Sequence, residues 1–128
     1  MTGHAARRKF DLEERLIDFT ARIVDVVEQL PPTRAGAHIA GQLIRCGTSP
    51  LANYAEAQSA ESRTDFIHKL KVALKELRET RVWLLLIQRK SMLSESSRIA
   101  PLMAECNEVI AIFVASIKTA RKNDRGEA

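Results

Sequence analysis

The sequence predicts an all-α protein, an antiparallel up-down-up-down four-helix bundle. Apolar residues recur at spacings of three and four residues along four long stretches, which is the periodicity of helices with one buried face. The alternation typical of half-buried strands is absent from the sequence, and the 128 residues contain only five glycines and four prolines. The connections between the stretches are short, so neighbouring helices are expected to run antiparallel.

The first helix is predicted over residues 11–30, after a polar, basic segment (residues 1–10) that is expected to be flexible. Asp11 and Glu14 have the spacing of a capping box at the helix N-terminus. Two consecutive prolines follow the helix and end it, because proline lacks a backbone N–H and restricts the residue before it. The expected core stripe is Leu12, Leu16, Phe19, Ile23, Val26 and Leu30.

The second helix is predicted over residues 35–57, with Thr33 as its N-cap. Pro50 lies inside this range and cannot donate a hydrogen bond to the carbonyl of Cys46. We therefore expect a kink between Gly47 and Pro50, and the alternative is two short helices separated by a break. The expected core stripe is Ile39, Leu43 and Cys46.

The third helix is predicted over residues 63–90, and Ser62 and Asp65 form its capping box. Its core stripe is expected to be Phe66, Leu70, Ala73, Leu77, Thr80, Leu84 and Ile87.

The fourth helix is predicted over residues 95–122, followed by a polar tail (residues 123–128) that is expected to be flexible. Pro101 lies near its start, so the helix should begin late or bend in its second turn. Its core stripe is expected to be Ile99, Met103, Cys106, Ile110, Phe113 and Ile117. The bundle is thus predicted as one domain over residues 11–122.

Apolar residues in the third and fourth helices exceed what one core needs. The run from Val82 to Ile87 points in every direction around a helix, and only Leu84 and Ile87 belong to the core stripe. Burying each remaining aliphatic side chain is worth about 1.5–3 kcal/mol, which favours self-association over an exposed apolar patch. The alternative is a tilted helix with a wide buried face. The predicted oligomer interface consists of Val82, Leu85, Leu86 and Ile112.

Charge is distributed unevenly, with acidic residues concentrated in residues 11–30 and basic residues in residues 61–90, for a net charge of +4. The basic side chains on the outward face of the third helix could contact nucleic-acid phosphates. They could instead meet the acidic face of the first helix (Glu14, Asp18, Asp25 and Glu28) across a subunit contact, or simply be solvated. The candidate nucleic-acid contacts are Lys71, Lys75, Arg78 and Arg89.

No catalytic residue, metal site or cofactor is predicted. The three histidines lack metal-ligand spacing, and the sequence has no phosphate-binding glycine loop or nucleophile motif. Cys46 and Cys106 lie on apolar stripes and are expected to be reduced and packed as small hydrophobic residues, with a disulfide or a reactive thiol as alternatives. No uninterrupted apolar run approaches the roughly 20 residues of a membrane span and no signal-peptide core is present, so we expect a cytoplasmic protein.

One segment carries a family motif. Residues 42–57 read QLIRCGTSPLANYAEA, and they are followed by an Asp65-Phe66 pair and by ALKELRET at residues 73–80. This order resembles the bacterial four-helix-bundle family encoded in intervening sequences of large-subunit ribosomal RNA genes. Ile44 replaces an arginine of that pattern, Pro50 and Tyr54 replace isoleucines, and Ala57 replaces a glycine. The matching positions are Gln42, Leu43, Arg45, Ser49, Asn53, Ala55, Glu56, Asp65, Phe66, Glu76 and Leu77.

The resemblance implies a four-helix bundle that assembles as a ring-like homopentamer and for which no enzymatic activity is established. Some members of this family are accessory proteins of the reverse transcriptases of diversity-generating retroelements, so the resemblance also implies such a role. We therefore predict a non-enzymatic, homo-oligomeric binding or scaffold protein that binds RNA or another nucleic acid. The alternative is a protein–protein accessory module, for example to a reverse transcriptase. An enzyme with an unrecognised site is the remaining alternative. The polar motif positions form either an interhelical hydrogen-bond network or a partner site: Gln42, Arg45, Asn53 and Glu56.

Overall fold

The computed structural model describes residues 4–124 and 126, with side chains from residue 12 to residue 123. Four α-helices follow one another along the chain and pack around one core, an arrangement consistent with a four-helix bundle. No strand occurs in the described part of the chain, as predicted. The elements are α1 (His4–Gln29), α2 (Arg34–Gln58), α3 (Arg63–Arg89), a short 3-10 turn (Ser96–Arg98) and α4 (Ile99–Asp124).

Helix α1 begins at His4, well before the predicted start at Asp11. Asp11 therefore lies inside the helix, and the prediction that it caps the N-terminus is wrong. The sequence of residues 5–9, AARRK, consists of strong helix formers that extend a helix without adding an apolar stripe, which is why the pattern missed them. Two terminal segments are expected to be flexible. Helix α1 includes residues 4–10 of the N-terminal one, and α4 includes residues 123–124 of the C-terminal one. Residues 1–3, 125, 127 and 128 lie outside the described residues.

The predicted N-cap of α2 is confirmed, and so is the Ser62 half of the predicted capping box of α3. The Thr33 hydroxyl accepts a hydrogen bond from the backbone N–H of Gly36, and the Ser62 hydroxyl accepts one from Asp65, both at 3.0 Å. The turn before α2 is tight, because a Cβ atom on Gly36 would lie 1.9 Å from the carbonyl oxygen of Pro31. Only glycine fits that position without moving the backbone.

Helix α2 passes through Pro50 as one element, so the alternative of two short helices is wrong. The size of any bend stays a prediction. Next to the proline, the Thr48 hydroxyl donates to the Ile44 carbonyl at 2.6 Å, a back-bond that helices with local bends often contain. Pro50 itself is buried, and packing of its ring against the core compensates for the missing backbone donor.

Helix α4 begins late, at Ile99 instead of the predicted Glu95, after the 3-10 turn. Pro101 then falls in the first turn, where a backbone N–H has no partner within the helix. By length and composition alone, the Ser96–Asn123 stretch could cross a membrane, although no uninterrupted apolar run suggested it. Part of this helix packs into the core of the bundle through Leu102, Cys106, Val109 and Phe113.

The predicted core stripes of α1, α2 and α3 are buried apart from Leu12 and Phe66, which are half-buried at the edge of the core. In α4 the buried face is turned slightly, because Leu102 and Val109 are buried while the predicted Met103 and Ile110 are half-buried. Both cysteines are free and fully buried, as expected. Helices α1 and α4 contact each other much less than the pairs α1–α2, α2–α3 and α3–α4 do.

Candidate functional site

Two of the predicted interface residues are prominently exposed on α3. Val82 is 58% exposed and Leu86 is 38% exposed, whereas Leu85 is half-buried. Ile112, the fourth predicted residue, is half-buried and lies elsewhere, in a groove beside the start of α3. The apolar surface on α3 is therefore narrower than predicted and is centred on Val82 and Leu86.

The four predicted basic residues lie on the same face of α3 as this apolar surface. Positions 71, 75, 78, 82, 86 and 89 follow one another at steps of three and four, so they form one stripe along the helix. All four basic side chains are exposed, and none takes part in an ion pair with another described residue. We call this stripe the α3 outer face: Lys71, Lys75, Arg78, Val82, Leu86 and Arg89.

Helix α1 carries a surface of opposite charge that also has an apolar residue near its N-terminal end. Ile17 is 44% exposed, and the acidic residues around it are exposed. Sequence reasoning missed Ile17, because it adjoins the core residue Leu16 and belongs to no stripe; its only signal is an isoleucine among acidic residues. We call this surface the α1 acidic face: Glu14, Ile17, Asp18, Asp25 and Glu28.

The family-motif residue Arg45 ties α2 to α3. Its guanidinium pairs with Glu76 at 3.1 Å and also with Glu79. It donates a longer hydrogen bond to the side chain of Gln42 at 3.4 Å, and the indole of Trp83 donates to Glu79 at 3.1 Å. Arg45 and Gln42 thus belong to a polar cluster between two helices, on a half-exposed surface.

The other two motif residues act separately. Glu56 pairs with Lys69 of α3 at 2.8 Å, a second link between the same helices. Asn53 donates to the carbonyl and the hydroxyl of Ser49 at 3.1 and 2.9 Å, and so binds only its own helix. The motif residues therefore form two interhelical links and one local contact, and they do not form a single network.

A further ion-pair cluster joins α1 to α4. Arg15 donates to both carboxylate oxygens of Glu105, at 3.0 and 2.7 Å, and to Glu108 at 2.8 Å. The hydrogen bonds from Arg15 hold the pKa of Glu105 below its usual value. Sequence reasoning missed the cluster, because its members are about 90 positions apart. It is a polar link between α1 and α4, which contact each other less than the consecutive helices do.

No three His, Cys, Asp or Glu side chains within the described part of the chain are grouped so that they could hold a metal ion. His38 packs edge-on against Trp83, with ring centroids 6.2 Å apart. The His68 side chain is exposed.

Comparison with known proteins places this geometry in a family. A crystal structure of a protein of unknown function from the S23 ribosomal protein family of Bacteroides thetaiotaomicron VPI-5482 is similar to this chain, with 33% identity and a TM-score of 0.76. The match covers 84% of this chain and 98% of that one. No match is found among curated proteins. The model of the family described as "23S rRNA-intervening sequence protein" matches residues 8–115, and the chain belongs to that family.

Proposed function

We propose that this protein is a non-enzymatic scaffold whose antiparallel bundles assemble through the α3 outer face. The observation that carries the proposal is the exposure of Val82 and Leu86 in line with four basic side chains that have no ion-pair partner among the described residues. A helix face with an apolar middle and a charged border has the composition of an interaction surface.

The α1 acidic face is the proposed counterpart on the neighbouring subunit. Ile17 would meet the aliphatic residues of α3, and acidic side chains would meet basic ones around them. Two different surfaces in contact make a heterologous interface, which closes into a ring when the rotation per subunit permits. The family resemblance sets the proposed number of subunits at five. Complementary charge would fix the register, while the apolar middle would supply most of the affinity.

Light scattering after size exclusion at micromolar concentration tests the assembly. The wild type is expected to have the mass of about five subunits. The variant Val82→Asp/Leu86→Asp is expected to stay folded by circular dichroism and to have a lower mass, because both side chains lie outside the core. Ala52→Asp, an exposed position on α2, is the matched control and should keep the wild-type mass. A wild type that is monomeric at this concentration would refute the proposal.

RNA binding by the same basic stripe is the second candidate function. Its support is the exposure of Lys71 and Lys75, which lie on the half of the stripe away from Val82 and Leu86, together with the family's link to ribosomal RNA genes. Backbone-directed binding would depend on phosphate contacts, since one tryptophan and one tyrosine offer few stacking surfaces.

Fluorescence anisotropy with a labelled RNA duplex and a labelled single strand tests this second function. Affinity should fall steeply as salt rises, and Lys71→Glu/Lys75→Glu should abolish it while the bundle stays folded. Lys118→Glu, an exposed lysine on α4, is the control and should have a small effect. Salt-independent binding, or none at low salt, would leave the lysines as interfacial or solubilising residues.

A further inference from the structure

Two adjoining cavities lie at one end of the bundle, beside the start of α3 and the second half of α4. The outer cavity has a volume of about 530 Å³, and the inner one, which reaches between α1, α2 and α4, has a volume of about 120 Å³. Phe66 and Ser116 line both cavities, so the two adjoin at these side chains. We call them together the end groove. The outer part is an open groove and not an enclosed cavity, and its volume lies in the range of about 300–1,000 Å³ that small-molecule sites occupy.

The inner part of the end groove contains a hydroxyl that lacks a hydrogen-bond partner among the described residues. Tyr54 is only 5% exposed, it lines the inner cavity, and its ring packs on Phe113 with centroids 6.1 Å apart. No described residue makes a hydrogen bond with its hydroxyl, and no fully buried side-chain oxygen in the described region is unsatisfied. The Tyr54 hydroxyl therefore keeps some accessible surface, and Tyr54 lines the inner cavity. Burial raises the pKa of Tyr54, so the phenol stays a neutral hydrogen-bond donor.

The outer part has an apolar floor and a positive rim. Phe66, Ile112 and Ala115 supply the apolar surface. Arg63 is exposed at the rim and forms no ion pair with another described residue. It is also the first residue of α3, where the backbone N–H groups at the helix N-terminus add positive potential.

We propose that the end groove binds a small amphipathic organic anion. Its negative head lies at Arg63, its apolar body lies on Phe66 and Ile112, and a polar group at its far end accepts the hydrogen of the Tyr54 hydroxyl. A second subunit is a less suitable occupant, because this groove is separate from both the α3 outer face and the α1 acidic face. Ile112 is thereby assigned to ligand binding and not to the oligomer interface.

Two fluorescent probes that differ only in a negative group test the site. 8-Anilinonaphthalene-1-sulfonate carries the charge, and N-phenyl-1-naphthylamine has the same aromatic body without it. Both should bind the folded full-length chain. Arg63→Gln should weaken the sulfonate about tenfold, the order expected for loss of one charge-assisted hydrogen bond, and leave the neutral probe unchanged. Equal effects on both probes would overturn the assignment of Arg63.

A variant that fills the groove is an independent test of the binding site. Ala115→Trp should abolish binding of both probes, because Ala115 is exposed and lines the outer cavity. Ala111→Trp places the same side chain one turn earlier, at an exposed position that does not line either cavity, and should leave binding intact. Retained binding in Ala115→Trp would overturn the proposal. So would a loss of oligomer mass in that variant, because it would show that a second copy covers the groove.

The inner cavity is tested by displacement of the sulfonate probe with decanoate and with 10-hydroxydecanoate. Tyr54→Phe removes only the hydroxyl, so it should weaken displacement by 10-hydroxydecanoate several-fold and leave that by decanoate unchanged. Equal effects on the two acids would show that the Tyr54 hydroxyl does not contact the ligand and would overturn that part of the assignment.

Discussion

At the scale of single residues, burial determines the chemistry of the two cysteines. Cys106 is fully buried and its thiol donates to the Leu77 carbonyl at 3.6 Å, while Cys46 is equally buried and donates to Leu43 at 3.9 Å. Burial raises the pKa of the Cys106 thiol to about 12 and raises that of Cys46 as well. Since the thiolate is the nucleophile, a buried thiol with a raised pKa is expected to react slowly in the folded protein.

We expect neither thiol to react with Ellman's reagent at pH 8 in the native state, and both to react in denaturant. Because the folded-state pKa of Cys106 lies above its unfolded value of 9.0, the protonated thiol contributes fully to the free energy of unfolding below that pH. The contribution is lost as the pH rises toward about 12. Denaturant titrations at several pH values in this range should therefore show a decrease in the free energy of unfolding, and the decrease should be smaller in Cys106→Ala than in the wild type. Fast labelling of the native protein would contradict the buried placement.

Single residues also show which features can be predicted from the sequence and which cannot. The positions of both cysteines followed from helical spacing, because burial is a property of one face of one helix. The partners of Arg45 did not follow, because Glu76 and Glu79 are 31 and 34 positions away. Which charged side chains meet depends on how two helices are turned against each other, and spacing within one helix does not specify that.

At the scale of elements, apolar periodicity predicted the four helices and most of their buried faces. Its errors lie where other forces act. Helix α1 extends back to His4 through a run of strong helix formers, and α2 continues through Pro50, whose buried ring compensates for the lost hydrogen bond. The buried face of α4 is turned toward Val109, and α4 packs mainly on α3.

The close contact of α1 with α2 at Gly47 makes a prediction at this scale. A Cβ atom there would lie 2.5 Å from Cγ2 of Ile23, a fully buried side chain, so Gly47→Ala should destabilise the protein by about 1–3 kcal/mol. Gly41 lies in the same helix with nothing within 4 Å of its Cβ position. Gly41→Ala should therefore stabilise by about 0.5–1 kcal/mol, the ordinary gain from removing a helical glycine. Urea denaturation of both variants measures the difference, and equal effects would mean that α1 and α2 are farther apart.

At the scale of the whole molecule, charge is arranged on surfaces of different helices. The acidic face is on α1 and the basic face on α3, two helices whose described residues have at most a few direct contacts with each other. Arg15 holds α1 to α4 through Glu105 and Glu108, where little other packing joins the pair. A chain with complementary faces on separate helices is suited to head-to-tail contacts between copies.

Charge reversal distinguishes a head-to-tail ring from other assemblies. Lys75→Glu/Arg78→Glu reverses part of the α3 outer face, and Asp18→Lys/Asp25→Lys reverses part of the α1 acidic face. Each double variant should lose mass in light scattering, because like charges then meet at every contact. The variant with all four changes has the wild-type net charge of +4 and complementary faces, so it should recover the wild-type mass.

Mixing the two double variants tests the number of subunits. Favourable contacts then require the two variants to alternate around the ring, and alternation closes only with an even number of subunits. A ring of five should therefore fail to re-form in the mixture, although the fourfold variant forms it alone. If α3 instead paired with α3 of a second copy, reversing the α1 acidic face alone would leave the mass unchanged.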